Sequence, residues 1–501
     1  MKYKWLALAA CALLLLLSAT NLSAVLTDEH PRYHQHAERP AYTPCAERDG
    51  QTLCSHLPLV LIETGGAEIP GEPIRNEDGS RSNDVFTTTA DGGRLLRASV
   101  AVVDHETGNN HPSDAPTLES TIDIRVRGNS SRYFDKHNYL LKTLTDDGSA
   151  SRDISMLGMD AFDEWALHGP YLDKSLIRNY MWYNLAGKIT DYAPNVRFCE
   201  VLLNGEYQGL YVMTETINSA VDARLQLTEP SKDTVQTSYA LRLDRGSGNE
   251  AKNIETFSQY ALRNLQDVDI VYPSPKWLTP ERAAWIAQDF SDFEKSLYSY
   301  DYNTEPYAYW EQADRASFVD YFILNEFTCN YDAGWLSTYI YKDVRGKFKM
   351  CIWDFNSACD NYSHEVDDPQ HFELQYNVWY YMLGKDEGFV DAVIDRYREL
   401  RQGLFGDKAL SAYMDAVVAW LGPAVERNFS VWGYTLAEDM ISPAERNPHS
   451  HAEAVAQMKD FCTQRGAWMD EHIDILRQYS HESKTKNSTT DPYLHEGGRR
   501  F

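Results

Sequence analysis

The chain has 501 residues, long enough for one large domain or two to three ordinary ones. Hydrophobic residues make up 43% and aromatics 12%, so most of it can bury a core and disorder is excluded for the bulk. A formal charge of −27 argues against nonspecific nucleic-acid binding, which needs clustered Lys and Arg against phosphates.

The N-terminus, MKYKWLALAACALLLLLSATNLSAVL, sets two lysines before an apolar run from Trp5 to about Ala19. That is the charged n-region and apolar h-region of an export signal, so residues 1–24 are predicted to be a signal peptide or an N-terminal anchor. The expected location is extracellular or cell-surface, and a retained anchor would span residues 5–26. Residues 25–56 read as a polar spacer in which Cys45 and Cys54 can form a local disulfide in an oxidising compartment. Cys199, Cys329, Cys351, Cys359 and Cys462 show no CxxC or His-Cys spacing for zinc and read as buried thiols.

Structure is predicted to begin at Leu57, where LPLVLIETGG is a strand closed by a glycine turn. Val85–Thr89 and Arg94–Asp104 follow as strands. Ile122, Ile124 and Val126 alternate with polar residues in a half-buried strand, Gly128-Asn129-Ser130-Ser131 breaks it, and Tyr139-Leu140-Leu141-Lys142 restarts it. A strand, a small-residue loop and a strand bearing lysine can offer backbone N–H groups, the Ser130 hydroxyl, Arg127 and Lys142 to phosphates, although spacing alone favours an ordinary hairpin. Asp173 can cap a helix over Lys174–Ile189, and FCEVLLNGEYQGLYVMTETI is a hairpin turning at Asn204-Gly205. Ser238–Asp244 is one more strand, and from Pro280 the pattern turns helical: Pro280–Ser299, Asp314–Phe327, Gly388–Leu404, Ala409–Asn428 and Ala452–Tyr479. Residues 480–501 are polar and predicted disordered.

Tyr321–Tyr362 holds the chemistry. Asp332 follows an apolar run and opens an Asp-Ala-Gly turn, and Asp354 ends a second run in Trp353-Asp354-Phe355-Asn356. Between them Ser337–Tyr341 and Lys347–Trp353 read as a hairpin that can bring the two carboxylates to one sheet end, where they suit a divalent metal and a general base. Turn-capping by both aspartates is the competing reading of the same residues.

The phrases LPLVLIETGG, RVRGNSSRYFDKHNYLLKT, WALHGPYLDKSLIRNYMWYNLA, VLLNGEYQGLYVMTETI, NEFTCNYDAGWLSTYIYKD and WDFN together resemble, in order, the CotH family of spore-coat protein H kinases. That resemblance implies an α+β, atypical protein-kinase-like two-lobed fold, with a mainly β lobe over about 57–217 and a mainly helical lobe over 218–479. It also implies transfer of the ATP γ-phosphate, with Mg²⁺ or Mn²⁺, to Ser or Thr of secreted or surface proteins. On that pattern Asp332 is the catalytic base, Asp354 a metal ligand and Ser337, five positions after Asp332, a second one. Lys142 would grip the nucleotide phosphates, with Ser130 in the covering loop and Arg127 either on phosphate or locking that loop. Glu215 stands at the expected adenine edge and either binds there or pairs with Lys142. The chain departs from the pattern in having Ser337 for the usual Asn and Asn356 where W-D-x-D has a second carboxylate, and residues 174–189 offer no Glu to Lys142. An inactive or weakly active kinase-like surface protein is therefore the alternative. A carbohydrate-active enzyme ranks last, because Arg127 and Lys142 have no role in that chemistry.

Overall fold

The computed structural model describes residues 32–45, 53–76, 78–218, 225, 227–246, 249–362, 368–374 and 378–480. The predicted signal peptide or anchor and the predicted C-terminal tail lie outside them, apart from Ser480. Among the described residues no helix is long and apolar enough to cross a membrane.

The strands are β1 (Leu59–Glu63), β2 (Pro73–Arg75), β3 (Arg81–Phe86), β4 (Leu96–Val103), β5 (Leu118–Arg127), β6 (Asn138–Leu144), β7 (Glu164–His168), β8 (Val196–Leu203) and β9 (Glu206–Glu215) in the first half. Then come β10 (Tyr239–Asp244), β11 (Asn253–Ile254), β12 (Asp267–Tyr272), β13 (Thr338–Lys342) and β14 (Lys349–Cys351). Helices in chain order are α1 (Gln35–Glu38), α2 (Arg178–Ala186), α3 (Phe257–Tyr260), α4 (Pro280–Tyr298), α5 (Arg315–Thr328) and α6 (Tyr380–Leu383). They continue with α7 (Glu387–Gln402), α8 (Asp407–Leu421), α9 (Pro423–Trp432) and α10 (His451–His472).

The mixed α and β content is as expected, but the first half closes on itself. Strands β1-β4-β5-β6-β7-β9-β8 form a closed seven-stranded barrel, because β1 pairs parallel with β8 as well as antiparallel with β4. Closure leaves no edge strand to protect. Its interior holds Val60, Ile62, Val100, Ile122, Ile124, Val126, Leu141 and Trp165, all 1% exposed or less. The second half is the sheet β11-β12-β10-β13-β14 with the helices packed around it. β12 (DVDIVY) was not foreseen; two aspartates disguise its alternation.

Element boundaries moved where local chemistry overrode the pattern. Asp173 does not start a helix at Lys174. Its carboxylate accepts from Ser175 N and Arg178 N, Leu176 takes φ +65°, and α2 begins only at Arg178. Ala409–Asn428 splits into α8 and α9 at Gly422-Pro423, since Gly422 takes φ +46° and Pro423 has no N–H to continue the ladder. The Asn204-Gly205 turn and the β13–β14 hairpin lie where predicted. Cys45 and Cys54 are disulfide-bonded, and the other five described cysteines are buried thiols.

The polar spacer is in part a docked strap. β1 reaches β8 only from Glu200 onward, so Phe198 lacks a strand partner on that side. The Gln35 carboxamide supplies one, donating to Phe198 O at 3.1 Å and accepting from Phe198 N at 2.7 Å. Arg32 is buried and donates to Asn184 Oδ1, Ala193 O and Pro194 O. His34 Nδ1 meets Tyr413 OH and His36 Nδ1 meets Tyr180 OH, each at 3.0 Å.

Burial pushes His34 down to about 3, helped by Lys188, His36, Arg32 and Arg197, and burial pushes His36 down to about 4. Both therefore stay neutral in the folded chain while an unfolded histidine protonates near pH 6.5. Stability is fully present above about pH 6.5 and falls as pH drops towards 4, with a slope of about 1.4 kcal/mol per pH unit for each histidine. Chemical denaturation from pH 8 to 4.5 is expected to show this loss, and His34→Gln together with His36→Gln to flatten it.

Candidate active site

Period-two alternation builds one wall. On β5, Ile122, Ile124 and Val126 fill the barrel, so Arg125 and Arg127 point outward. On β6 and β7, Leu141, Trp165 and Leu167 point in, and Lys142 and Glu164 point out. Lys142 and Glu164 are direct register partners, and Nζ lies 2.7 Å from Oε2. Burial pulls the Lys142 ammonium down, but the adjacent carboxylate more than reverses this and holds it above its ordinary value. Burial likewise pushes Glu164 up, and Lys142 and Thr216 outweigh it and hold the carboxyl low. The acidic partner of Lys142 thus comes from the neighbouring strand. Glu215 does not meet Lys142: it is 1% exposed and accepts from Tyr192 OH and Asn195 N. Arg125 is lowered to about 10 by burial and by Arg127.

The facing wall carries the acids. Helix α5 ends with Cys329 in the left-handed region at φ +44°, which turns the chain into 330–337. Asp332 O accepts from Trp335 N and Leu336 N, which closes the turn that carries its carboxyl group. Burial and the charges of Asp354 and Asp244 raise Asp332 to about 7, against a smaller opposing pull from Arg245. Asp354 is also raised, by burial first; Arg127 and the Ser337 hydroxyl oppose this, and Asp244 adds to it. Ser337 Oγ donates to Asp354 Oδ2 at 3.2 Å. Arg127 reaches across from the barrel, its guanidinium 5.5 Å from the Trp353 ring centre. Arg127, Asp332, Ser337 and Asp354 therefore gather in one place. Ser130, itself exposed, opens a 3₁₀ turn (Ser130–Tyr133) beyond Gly128, and among the described residues its hydroxyl has no hydrogen-bond partner.

Helix α2 fixes the second acid. Every residue of α2 is buried, and three of its polar groups grip the segment 354–359. Tyr183 OH accepts from Asp354 N at 2.9 Å, and Asn179 Oδ1, one turn earlier on the same face, accepts from Phe355 N at 2.8 Å. Arg178 donates to Ala358 O and Cys359 O and is itself ion-paired with buried Asp173. From the other side Asn330 Nδ2 donates to Asp354 O at 3.1 Å. These bonds hold Asp354 at φ +61°, a left-handed conformation that costs a non-glycine residue about 1 kcal/mol.

Two charged residues that the sequence reading passed over join the acids. β10 pairs with β13 so that Leu243 faces Thr338, which places Asp244 beside Ser337 at the same sheet end. Arg245 follows it, and its charge acts on Asp332. The Asp-Arg-Gly sequence at 244–246, a strand ending on an acid before a glycine, was the available signal. Glu164 gave none, since only the β6–β7 register makes it Lys142's partner.

The oxygen donors at this sheet end are of the kind a hard divalent cation takes, but among the described residues the three carboxylates do not close into a metal-sized cluster. Asp332, Asp354 and Asp244 are carboxylates, and Asn356 Oδ1 is a buried oxygen with no hydrogen-bond partner among the described residues. Asn356 thus leaves a carboxamide oxygen where the sequence lacked a second carboxylate. Ser337, by contrast, spends its hydroxyl on Asp354.

The family model described as "CotH kinase protein" matches residues 124–469, from within β5 to the last turn of α10. This chain belongs to the CotH family. Among curated proteins none matches it. The CotH segment begins on the strand that carries Arg125 and Arg127 and includes Lys142, Glu164, α2 and all three aspartates of the cleft.

At pH 8 folded Asp332 carries a charge that is partly desolvated and repelled by its neighbours, whereas unfolded it is freely hydrated. Its folded pKa is raised, so the penalty is complete above about pH 7 and fades as pH falls towards 4. Asp332→Asn is expected to melt several degrees higher than the parent at pH 8, with the gain vanishing near pH 4. Asn179→Ala leaves Phe355 N without an acceptor and is expected to cost about 1–3 kcal/mol in urea denaturation.

Proposed function

We propose that this chain is an exported, metal-dependent protein kinase of the CotH type, which moves the γ-phosphate of ATP to a Ser or Thr hydroxyl. The observation that carries the reading is Asp332: a carboxyl raised to about 7, set beside Asp354 and opposite a basic wall. A group with that pKa holds no proton above neutrality and can accept one from an acceptor hydroxyl as it attacks. CotH membership and the Lys142–Glu164 pair add to it.

On this reading the barrel and the helical half are the two lobes, with the nucleotide between them. Lys142, held by Glu164, receives the phosphates, and Arg127 adds charge from the same face. Ser130 and the backbone around Gly128 cover the phosphates. Asp354, with Asp244 and Asn356 Oδ1, would hold Mg²⁺ or Mn²⁺, which when bound neutralises charge building on the phosphates. Asp332 orients the acceptor hydroxyl and takes its proton. The acceptor is a Ser or Thr of a secreted or surface protein, consistent with the N-terminal export pattern.

One observation favours a weaker catalyst: Ser337 stands for the usual Asn and hydrogen-bonds Asp354. Ser337→Asn is therefore expected to raise phosphate transfer.

Radiolabelled ATP with Mn²⁺ or Mg²⁺ and a Ser-rich acceptor tests the reading. Transfer is expected, with a loss of about 100-fold or more in Asp332→Asn. Equal transfer by parent and Asp332→Asn would contradict it. An inactive parent that nucleotide nevertheless stabilises against heat would leave a nucleotide-binding scaffold.

A further inference from the structure

A second reactive arrangement lies away from the cleft, on the N-terminal side of the barrel. The isolated bridge Ser55↔Asn110 is antiparallel and closed by Ser55 N→Asn110 O at 3.0 Å and Asn110 N→Ser55 O at 2.6 Å. It sets Cys54 opposite His111. Cys45, disulfide-bonded to Cys54, places its Sγ 3.2 Å from His111 Nε2. The other ring nitrogen, Nδ1, lies 3.0 Å from Asp114 Oδ2, which also accepts from His111 N at 2.8 Å. Asn109 Nδ2 donates to Cys45 Sγ at 3.2 Å and to Thr43 O at 2.6 Å. The Cys54 sulfur also lies within 4.8 Å of the imidazole, but among the described residues it is Cys45 that has both the imidazole and an amide N–H at hydrogen-bond distance.

That asymmetry decides how the bond can break. In thiol–disulfide exchange the sulfur better able to carry negative charge leaves, and attack falls on the other. A carboxylate–imidazole pair at hydrogen-bond distance is the arrangement that activates cysteine thiols in other settings. Here it faces the sulfur of a disulfide that is only partly buried. A purely structural disulfide needs neither the imidazole nor its orienting acid.

We propose that Cys45–Cys54 is a thiol-exchange site that takes small thiols of the glutathione class, with Cys54 the sulfur attacked and Cys45 the sulfur released. A thiolate attacks Cys54 Sγ and forms a new S–S bond to it. The Cys54–Cys45 bond breaks, and its electron pair goes to Cys45 Sγ. The proton that the incoming thiol gives up is taken on His111 Nε2 and passed from there to the Cys45 sulfur, while Nδ1–H stays on Asp114. A second thiolate then attacks the mixed disulfide and leaves a free Cys54 thiol. In sum, two thiols are oxidised to their disulfide and the protein disulfide is reduced to two thiols. His111 contacts the reacting sulfur, and Asp114 is a positioning residue. The site is independent of the phosphotransfer reading.

The test uses the folded full-length chain, incubated with reduced glutathione, quenched with iodoacetamide and mapped by peptide mass spectrometry. The expected pattern is a glutathione adduct on Cys54 and alkylation on Cys45. In His111→Ala, reduction is expected to slow about tenfold and the adduct to divide between the two cysteines. Asp114→Asn keeps the shape, removes the charge, and gives an intermediate loss of selectivity; it serves as the variant if His111→Ala does not fold. A parent that glutathione does not reduce, an adduct on Cys45, an even distribution, or unchanged rate and selectivity in the folded variants would each overturn the proposal.

Discussion

The site depends on the grip of helix α2 on the segment 354–359. Tyr183 and Asn179 take the N–H groups of Asp354 and Phe355, and Arg178 satisfies the carbonyls of Ala358 and Cys359. The bonds to Phe355, Ala358 and Cys359 serve buried backbone groups and that to Asp354 a part-buried one, so losing one costs the desolvation of the group it serves rather than the modest net value of a hydrogen bond. Arg178 is held by Asp173, both about 4% exposed, and breaking such a buried pair from one side costs about 3–5 kcal/mol. Together these terms exceed the roughly 1 kcal/mol of left-handed strain at Asp354, which is why the aspartate stays where the chemistry needs it.

Electrostatics then divides the cleft. The barrel side carries Arg125, Arg127 and Lys142, and the sheet side carries Asp244, Asp332 and Asp354. Arg127 of the barrel face pulls the Asp354 carboxyl down, and burial still wins, leaving it raised. Asp332 is raised to about 7 by burial, Asp354 and Asp244, against the pull of Arg245. A chain with a net charge of −27 gains nothing in stability from a further cluster of acids. A cation would relieve this repulsion, and the Asn356 oxygen, unpartnered among the described residues, lies two residues from Asp354.

Much of this was legible from residue order. The two aspartates flank a hairpin, and β13 and β14 form it. The Ile122, Ile124, Val126 alternation fixed which way Arg125 and Arg127 point. Barrel closure was not legible, because a parallel β1–β8 pairing joins residues about 140 positions apart and leaves no local mark. The same holds for Glu164, whose role exists only through the register of β6 on β7. The strap was misread for a different reason: Arg32, Gln35 and His34 are polar, and polarity reads as exposure unless the buried partners are known. Asp173 was read as the cap of a longer helix, and it is instead the counter-ion that positions Arg178.

The central claim is that Asp354, fixed by α2, makes this cleft a metal–nucleotide site. Titration calorimetry of a non-hydrolysable ATP analogue with Mg²⁺ into the parent and Asp354→Asn tests it most directly. Saturable, Mg²⁺-dependent binding in the parent, weakened about tenfold or more in the variant, is the predicted result. Equal binding by the two proteins, or binding indifferent to Mg²⁺, would contradict the account.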